Sequence, residues 1–224
     1  MVLYLAALLA WGSFYFDRPD YLWKGILIAA LYAAFDVLWT YLRDRVWYFP
    51  ESSLISGLIL ALVGAPAPDF LLLILMPLLA VISKQLLRFG TGRHIFNPAA
   101  FSLAILGQTW WGVSWGNPVL IAVGLAGLFI LWRQRRWETA LPFLAAYAPL
   151  FNFQVFNGTV IFFASVMLIE PITSSFPGVR RRMAYGALVF LFVFLVGRSG
   201  LNSDPLLLGL LGGNIIFSLI KFAK

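Results

Sequence analysis

One short polar segment concentrates the residue types that could bind a cofactor. Residues 90–100 hold the single histidine of the chain, His94, together with Gly92, Arg93 and Asn97. Asn97 precedes a proline, a pairing typical of a helix start, where unpaired N–H groups could hold an anion or the polar edge of a ring. An imidazole there could hydrogen-bond a cofactor or transfer protons near neutral pH. The alternative is a plain helix start beside an interfacial histidine.

A similar helix start recurs in the second half of the chain. Asp204 precedes Pro205 as Asn97 precedes Pro98, and both pairs follow glycine-containing stretches. Glycine permits a positive φ and the close approach of a ligand, although it can equally serve only to turn the chain. We therefore predict two related helix starts, one in each half.

Two acids lie within apolar runs, where a charge is costly. Asp36 interrupts the second run, and Glu170 lies at a break in the eighth. A charged side chain at membrane depth costs about 2.5–3.5 kcal/mol on insertion scales, so both acids are candidates for proton or cation coupling. For Asp36 the alternative is an ion pair or hydrogen bond that locks helices together. Glu170 could reach the arginines at 180–182, and Thr173, beyond the break, could contact a polar ligand.

The composition is typical of a polytopic membrane protein. Hydrophobic residues make up 62% of the chain and charged residues 11%, with a mean hydropathy of +0.90, whereas a soluble domain is about half apolar and a quarter charged. The first apolar run lacks a basic flank and a small-residue cleavage site, so we expect a retained span. The absence of cysteine excludes thiolate metal and iron–sulfur sites, and a single histidine disfavours any protein-ligated metal. The net charge of +7 is then typical of cytoplasmic loops rather than of nucleic-acid binding.

Ten apolar runs predict an all-α protein with about ten transmembrane or half-depth helices in a lipid bilayer. A full span needs about 20 apolar residues, so the short third and eighth runs, with the fifth and tenth as further candidates, predict broken or half-depth helices. The runs cover residues 1–16, 23–41, 53–65, 70–87, 97–107, 119–132, 138–151, 157–169, 183–197 and 205–221.

The charges of the loops predict the orientation of these helices. Basic residues follow the even-numbered runs. Lys84, near the end of the fourth run, is assigned to the basic loop that follows this run. The loops at 65–69, 108–118 and 152–156 carry no basic residue. The positive-inside rule then puts both termini in the cytoplasm.

The two halves of the chain show the same order of long and short runs. Short runs interrupted by glycine or proline take the third and fifth places in each half. A unit with an odd number of spans must have an inverted second copy, and paired broken helices indicate a binding site near the midplane. We therefore predict a single membrane domain, 1–224, built from two inverted five-helix repeats at about 1–107 and 118–224.

Three stretches resemble one family of membrane redox proteins. Residues 92–99, Gly-Arg-His-Ile-Phe-Asn-Pro-Ala, are similar to the motif G-[KR]-x-x-F-N-P-A. That motif is found in the B component of the sodium-pumping NADH:quinone oxidoreductase and in the D component of the Rnf electron-transport complex. Residues 56–66 resemble the third helix of the family, and 158–174 resemble its G…ATDPVT/S segment, with Glu170 in place of Asp. Asp36 also fits the second helix.

The resemblance implies a urea-transporter-like fold in the bacterial cytoplasmic (inner) membrane, and electron transfer through a flavin with other membrane or soluble redox subunits. Larger members attach FMN covalently to a threonine in an S/T-G-A-T motif, which this chain lacks. The chain thus resembles a short form in which no covalent FMN is expected. The resemblance leaves room for a non-covalent flavin, FMN or riboflavin, and the candidate ligands are Gly92, Arg93, His94, Asn97 and Thr173.

Three functions of different classes are open. The first is a non-autonomous membrane subunit of an ion-coupled electron-transfer complex, which holds a flavin or handles a quinone and has no catalytic residues of its own. The second is a channel or transporter for a small polar solute, because fold and function separate readily. Its pore would be lined by Asp36, Asn97, Glu170 and Thr173. The third is a cofactor-free scaffold that anchors redox partners.

Overall fold

The fold is almost entirely helical. The computed structural model describes residues 1–64, 69–89, 93–109, 115, 120–150, 157–174 and 176–222. Within them lie the helices α1 (Val2–Tyr15), α2 (Pro19–Asp44), α3 (Glu51–Val63), α4 (Phe70–Leu86), α5 (Pro98–Thr109), α6 (Leu120–Gln134), α7 (Trp137–Leu150), α8 (Gly158–Phe162), α9 (Val179–Arg198) and α10 (Pro205–Phe222). Between α4 and α5, two short strands, β1 (Arg88–Phe89) and β2 (Arg93–His94), pair antiparallel. For the described residues, the all-α prediction is confirmed apart from this small ladder.

The eighth helix changes its hydrogen-bond pattern partway along. A π-helical turn, Phe163–Met167, directly continues α8. π turns inside helices are rare and occur often at functional sites. The eighth helix is therefore short and irregular, as its sequence predicts, and it ends just before Glu170.

Helix length only partly tests the prediction of about ten spans. Among the described residues, one helix, α2 with its 26 residues, is long and apolar enough to cross a membrane by length and composition. Shorter apolar helices of 10–17 residues include α1, α3, α4 and α5. The 20-residue α9 opens with three arginines in its first turn, which lowers its hydropathy. The number of full spans, the orientation and the inverted repeat therefore stay predictions.

The two predicted helix starts are confirmed. The Asn97 side-chain oxygen accepts the backbone N–H of Ala100 at 3.0 Å at the beginning of α5. In the same way Asp204 Oδ1 accepts the N–H of Leu207 at 2.9 Å at the beginning of α10. In both helices the residue after the cap is proline, whose missing N–H and fixed φ suit the first helical position.

Similar helix neighbours recur in the two halves. In the first half α2 packs on α3 and α4, α1 on α3, and α4 on α5; in the second, α7 packs on α9 and on the π turn, α6 on α8, and α9 on α10. Between the halves, α1 meets α6 and α5 meets α10. Large side chains such as Tyr32, Phe143 and Phe163 are fully buried in the core that these contacts enclose.

Gly57 sets the distance between α2 and α3. A Cβ atom at this position would lie 2.6 Å from the Ala29 Cα atom of α2. The obstacle is backbone, so a side-chain rotation cannot relieve it. Close packing of these two helices therefore requires glycine at position 57.

We expect Gly57→Ala to destabilise the protein by about 1–3 kcal/mol, because overpacking forces backbone shifts. The matched control is Gly124→Ala in α6, where an added Cβ meets nothing within 4 Å. The control should leave stability unchanged or raise it slightly, since alanine favours helix. Tryptophan fluorescence during heating of the purified protein measures both unfolding midpoints. Equal midpoints for the two variants would contradict the assigned role of Gly57.

Candidate functional site

The first candidate site surrounds the Asp36 carboxylate, which is fully buried on α2. Lys84 Nζ, on α4, lies 2.7 Å from Asp36 Oδ2. Ser53 Oγ, on α3, donates to the same oxygen at 2.5 Å, and Tyr48 OH, between α2 and α3, donates to it as well. Gln85 Nε2 donates to Asp36 Oδ1 at 2.5 Å. Side chains from two helices, α3 and α4, and from the α2–α3 connection thus converge on a single carboxylate of α2.

The Lys84 ammonium lies among oxygen atoms. Besides Asp36, it donates to Ser52 Oγ at 2.9 Å and to Ser53 Oγ at 3.1 Å, and it lies 5.9 Å from the centre of the Tyr32 ring. Pairing explains how both charges can be buried, since an isolated buried charge costs several kcal/mol. The term Asp36 cluster denotes Asp36, Tyr48, Ser52, Ser53, Lys84 and Gln85.

Two arginines lie beside the cluster and contact it through Gln85. Arg43 Nη1 and Arg88 Nη2 donate to Gln85 Oε1 at 2.9 Å and 2.5 Å. Arg43 is also paired with Asp44 at 2.6 Å. Burial, and then the nearby charge of Arg43, lower the pKa of the Arg88 guanidinium below its usual value. The Gln85 amide therefore separates the Asp36 carboxylate from two guanidinium groups.

The assignment of Lys84 to a basic loop is wrong. Lys84 lies within α4 (Phe70–Leu86) and is buried, because Asp36 provides a partner for its charge inside the helix bundle. The ion pair that was the alternative for Asp36 is present and joins α2 to α4. A role for Asp36 in ion coupling stays a proposal.

The second candidate site joins the segment after α8 to β2. His94 Nε2 lies 3.3 Å from Glu170 Oε1, and Thr173 Oγ1 donates to Glu170 Oε2 at 3.0 Å. Ser174 Oγ donates to the Glu170 carbonyl at 2.7 Å and fixes the turn that follows. The structure thus brings together three of the predicted site residues from distant parts of the chain. The term Glu170 cluster denotes His94, Glu170, Thr173 and Ser174.

The expected contact between Glu170 and the arginines at 180–182 is wrong. In the described part of the chain, Arg182 Nη2 instead lies 3.3 Å from Glu138 Oε1. The reason is the packing of α9 on α7, which directs Arg182 towards the first turn of α7. The Glu170 carboxylate contacts His94 and Thr173.

Tyr32 lies beside the Asp36 cluster. It is fully buried on α2, one helical turn before Asp36, and the centre of its ring lies 5.9 Å from Lys84 Nζ.

The remaining predicted ligands contribute less to the described geometry. Asn97 is buried, and its side-chain oxygen is used to cap α5. Arg93 pairs with Phe89 through the backbone in the β1–β2 ladder, and its side chain lies outside the described part of the structure. Gly92 lies outside the described residues.

Replacing Asn97 with alanine should cost about 1 kcal/mol of stability, because one backbone N–H at the start of α5 loses its acceptor. Asn97→Ser should retain most of the stability, since serine also accepts from an N–H in this position. Thermal unfolding of the purified variants measures the difference. Equal losses for Asn97→Ala and Asn97→Ser would show that capping is not what Asn97 contributes.

Sequence reasoning missed four members of the Asp36 cluster, Tyr48, Ser52, Ser53 and Gln85. A signal was available in Lys84-Gln85, a polar pair in the last turn of an otherwise apolar helix. A buried carboxylate needs partners, and an adjacent lysine and amide within the next long apolar helix can provide them. No comparable signal identifies His94 as the partner of Glu170, because the two lie far apart in the chain.

Comparison with known proteins points to one of the two complexes that the motifs indicate. No protein-family model matches the chain. The D component of the ion-translocating oxidoreductase complex of Cronobacter sakazakii (strain ATCC BAA-894) is 31% identical over 153 residues. The match covers 60% of this chain and 43% of that relative, so the chain spans less than half of the relative's length. This similarity supports a relation of the chain to the membrane redox family that its motifs resemble.

Proposed function

We propose that the protein is a membrane subunit of an ion-translocating electron-transfer complex and that it binds a flavin non-covalently. The similarity to a component of an ion-translocating oxidoreductase complex supports the first part. The motifs that resemble the B component of the sodium-pumping oxidoreductase support the same class of function. Other membrane or soluble redox subunits would act as partners, and a quinone would be a candidate electron acceptor.

The contact between His94 and Glu170 carries this proposal. It joins the segment before α5 to the segment after α8, next to the capped helix start at Asn97. A polar site built from both halves, at the ends of short helices, is the arrangement in which membrane proteins bind polar ligands. We assign the ion-coupling role to Glu170 and Asp36, since an ionisable residue within an apolar, membrane-type segment is a candidate for function.

The residues near Asn97 fit the polar edge of a flavin. The cap uses the Asn97 oxygen and the Glu170 contact uses His94 Nε2. The Asn97 amide nitrogen would therefore donate to a ring carbonyl, and His94 Nδ1 would accept from a ring N–H. Gly92, Arg93 and Thr173 are proposed as further contacts. A bound flavin would supply one- and two-electron redox chemistry. The chain would bind and orient the ring and place a carboxylate near it.

The proposed arrangement in the membrane follows the loop charges and the recurrent helix neighbours. Two inverted five-helix repeats, both termini in the cytoplasm and a place in the bacterial inner membrane are compatible with α1 meeting α6 and α5 meeting α10. Labelling of single cysteines, introduced at an exposed position of each loop, tests the orientation. The natural chain has no cysteine that would give a background signal.

The deciding experiment for the cofactor is the absorption and fluorescence spectrum of gently purified protein. We expect a flavin that is released by denaturation and is absent from the protein band after denaturing electrophoresis, since the attachment is non-covalent. His94→Ala should lower flavin content, whereas Trp23→Ala, at an exposed position on α2, should not. Wild-type protein without flavin, purified with its partners, would overturn the cofactor assignment.

The solute-channel alternative makes a different prediction. A channel should raise the flux of urea-like solutes into liposomes above the lipid background. We expect no such flux, because the carboxylates of two residues that would line the pore are already in contact with basic side chains. Asp36 contacts Lys84, and Glu170 contacts His94.

A further inference from the structure

A groove on the outside of the helix bundle runs between α2 and α4. Its volume is about 510 Å³, which is within the range of ligand-binding pockets. Hydrocarbon and aromatic side chains line it except at one end, where an arginine lies. The lining residues are Phe35, Leu38, Trp39, Leu42 and Arg43 on α2, with Leu78 and Val81 on α4.

The length of the groove matches one leaflet of a bilayer. Phe35 and Arg43 are eight residues apart on one helix, so the groove extends about 12 Å along α2. One leaflet of the hydrocarbon core is about 15 Å thick. By length and composition α2 is able to cross a membrane, and Arg43 lies in its last turn. The apolar part of the groove would therefore lie at the depth of acyl chains, and its charged end at the depth of headgroups.

The charged end of the groove has an excess of positive charge. Arg43 and Arg88 donate to the same atom, Gln85 Oε1, at 2.9 Å and 2.5 Å, so two guanidinium groups lie close together. Asp44 pairs with Arg43, whereas among the described residues no carboxylate lies within 4 Å of the Arg88 guanidinium. Arg45 follows directly after α2. Three guanidinium groups thus share one exposed carboxylate, an arrangement that favours an anion.

We propose that this groove binds one anionic phospholipid, with an acyl chain between α2 and α4 and the phosphate at Arg43 and Arg88. Each guanidinium has five N–H donors, of which the described contacts use three on Arg43 and two on Arg88. Both groups therefore keep donors for phosphate oxygens. The inference uses the membrane placement of the proposed function and goes beyond it, since lipid binding requires no flavin.

Other occupants would use only the apolar part of the groove. A prenyl quinone or an apolar helix of a partner subunit would cover the hydrocarbon lining, but neither brings a negative charge to the guanidinium groups. A zwitterionic lipid adds a cation of its own beside them. Basic pockets between membrane helices on the cytoplasmic side bind anionic headgroups, and the proposed orientation puts the end of α2 on that side. Charge complementarity therefore favours an anionic phospholipid.

The experiment compares two lipids that share their acyl chains and differ in headgroup charge. Phosphatidylglycerol or phosphatidylcholine is added to the purified protein in detergent, and tryptophan fluorescence follows unfolding during heating. Phosphatidylglycerol at ten times its dissociation constant should raise the unfolding midpoint by about 3–6 °C, and high salt should reduce the rise. Phosphatidylcholine should have a much smaller effect. Equal rises with the two lipids, or no rise with either, would overturn the inference.

Two pairs of variants test the position of the lipid. Arg43→Gln should lose most of the rise, whereas Arg198→Gln, which also removes an arginine from the last turn of a long helix, should keep it. Leu38→Trp should fill part of the groove and reduce the rise. Its control is Leu128→Trp on α6, since Leu128 is 53% exposed and Leu38 is 54% exposed.

Each variant is judged by the difference between its midpoints with and without lipid, so a change in its basal stability does not enter the comparison. If Arg43→Gln does not fold, the two tryptophan variants decide. A full rise in Leu38→Trp, or an equal loss in Leu38→Trp and Leu128→Trp, would contradict the assigned position.

Mass spectrometry of the protein in mild detergent identifies the natural occupant. We expect one anionic phospholipid retained per chain, and its loss from Leu38→Trp. A prenyl quinone retained in its place would refute the lipid assignment. Flavin content, measured on the same samples, reports on the proposed cofactor instead. Lipid selectivity without flavin would remove the cofactor assignment alone, and flavin without lipid selectivity would remove the lipid site alone.

Discussion

Replacing Lys84 with methionine should destabilise the protein by about 3–5 kcal/mol, because breaking a buried ion pair leaves an uncompensated charge. Methionine is apolar and fills much of the space of the lysine stem. It leaves the Asp36 carboxylate buried with no ammonium beside it. The bonds from Ser53, Tyr48 and Gln85 remain, but they supply no net positive charge. Unfolding of the purified variant by heat or denaturant measures the loss.

A second substitution distinguishes charge from packing. The double variant Asp36→Leu with Lys84→Met should recover most of the lost stability, since replacing both partners by apolar groups removes the unpaired charge. Lys24→Met, in the more exposed pair with Asp20, should cost no more than about 1 kcal/mol. If Lys84→Met cost as little as Lys24→Met, the carboxylate would be reached by water and the cluster would not be a buried site.

The second large effect concerns Glu170. If this carboxylate couples ion movement to electron transfer, Glu170→Gln should reduce the ion-stimulated part of electron transfer in the assembled complex by about tenfold, or roughly 1.4 kcal/mol of coupling free energy. Glutamine keeps the shape and can still accept from Thr173, but it removes the charge that faces His94. Turnover of the complex with and without the coupling ion measures the effect.

Two controls separate this effect from a loss of structure. Glu138→Gln removes the acid that pairs with Arg182 and should leave ion stimulation intact. The unfolding midpoint of Glu170→Gln, measured alongside, should fall by much less than the activity. A scaffold without cofactor or ion would give the opposite result. For such a scaffold, Asn97→Ala and Glu170→Ala would change activity no more than their loss of stability explains.

Much of the helical framework could be predicted from local sequence. An apolar run predicts a helix, because a helix satisfies its own backbone hydrogen bonds in an apolar environment. The starts of α5 and α10 were equally predictable, since a capping side chain followed by proline acts within one turn. Asp36 and Glu170 are recognisable from the sequence because a charged side chain within an apolar run is costly to bury.

The partners of these acids could not be predicted with the same rules. Lys84 lies close to the end of its helix, so its charge fits a loop until the packing of α4 on α2 is known. The pairing of Glu170 with His94 depends on how the segment after α8 meets β2, and the local pattern instead favoured the nearby arginines. Long-range packing decided both cases, whereas local sequence signals act over one or two helical turns.

The orientation of the Gln85 amide has an electrical consequence. Its oxygen accepts from Arg43 and Arg88, and its nitrogen donates to Asp36 and to Thr40 at 3.2 Å. A reversed amide would place its oxygen against the Asp36 carboxylate and its nitrogen against both guanidinium groups, which makes three mismatched contacts. The amide therefore keeps one orientation, with its oxygen towards the guanidinium groups and its nitrogen towards the carboxylate. Two permanent cations polarise the carboxylate through it, yet neither can neutralise it by direct contact. In the described structure, the cation that contacts the Asp36 carboxylate directly is the Lys84 ammonium.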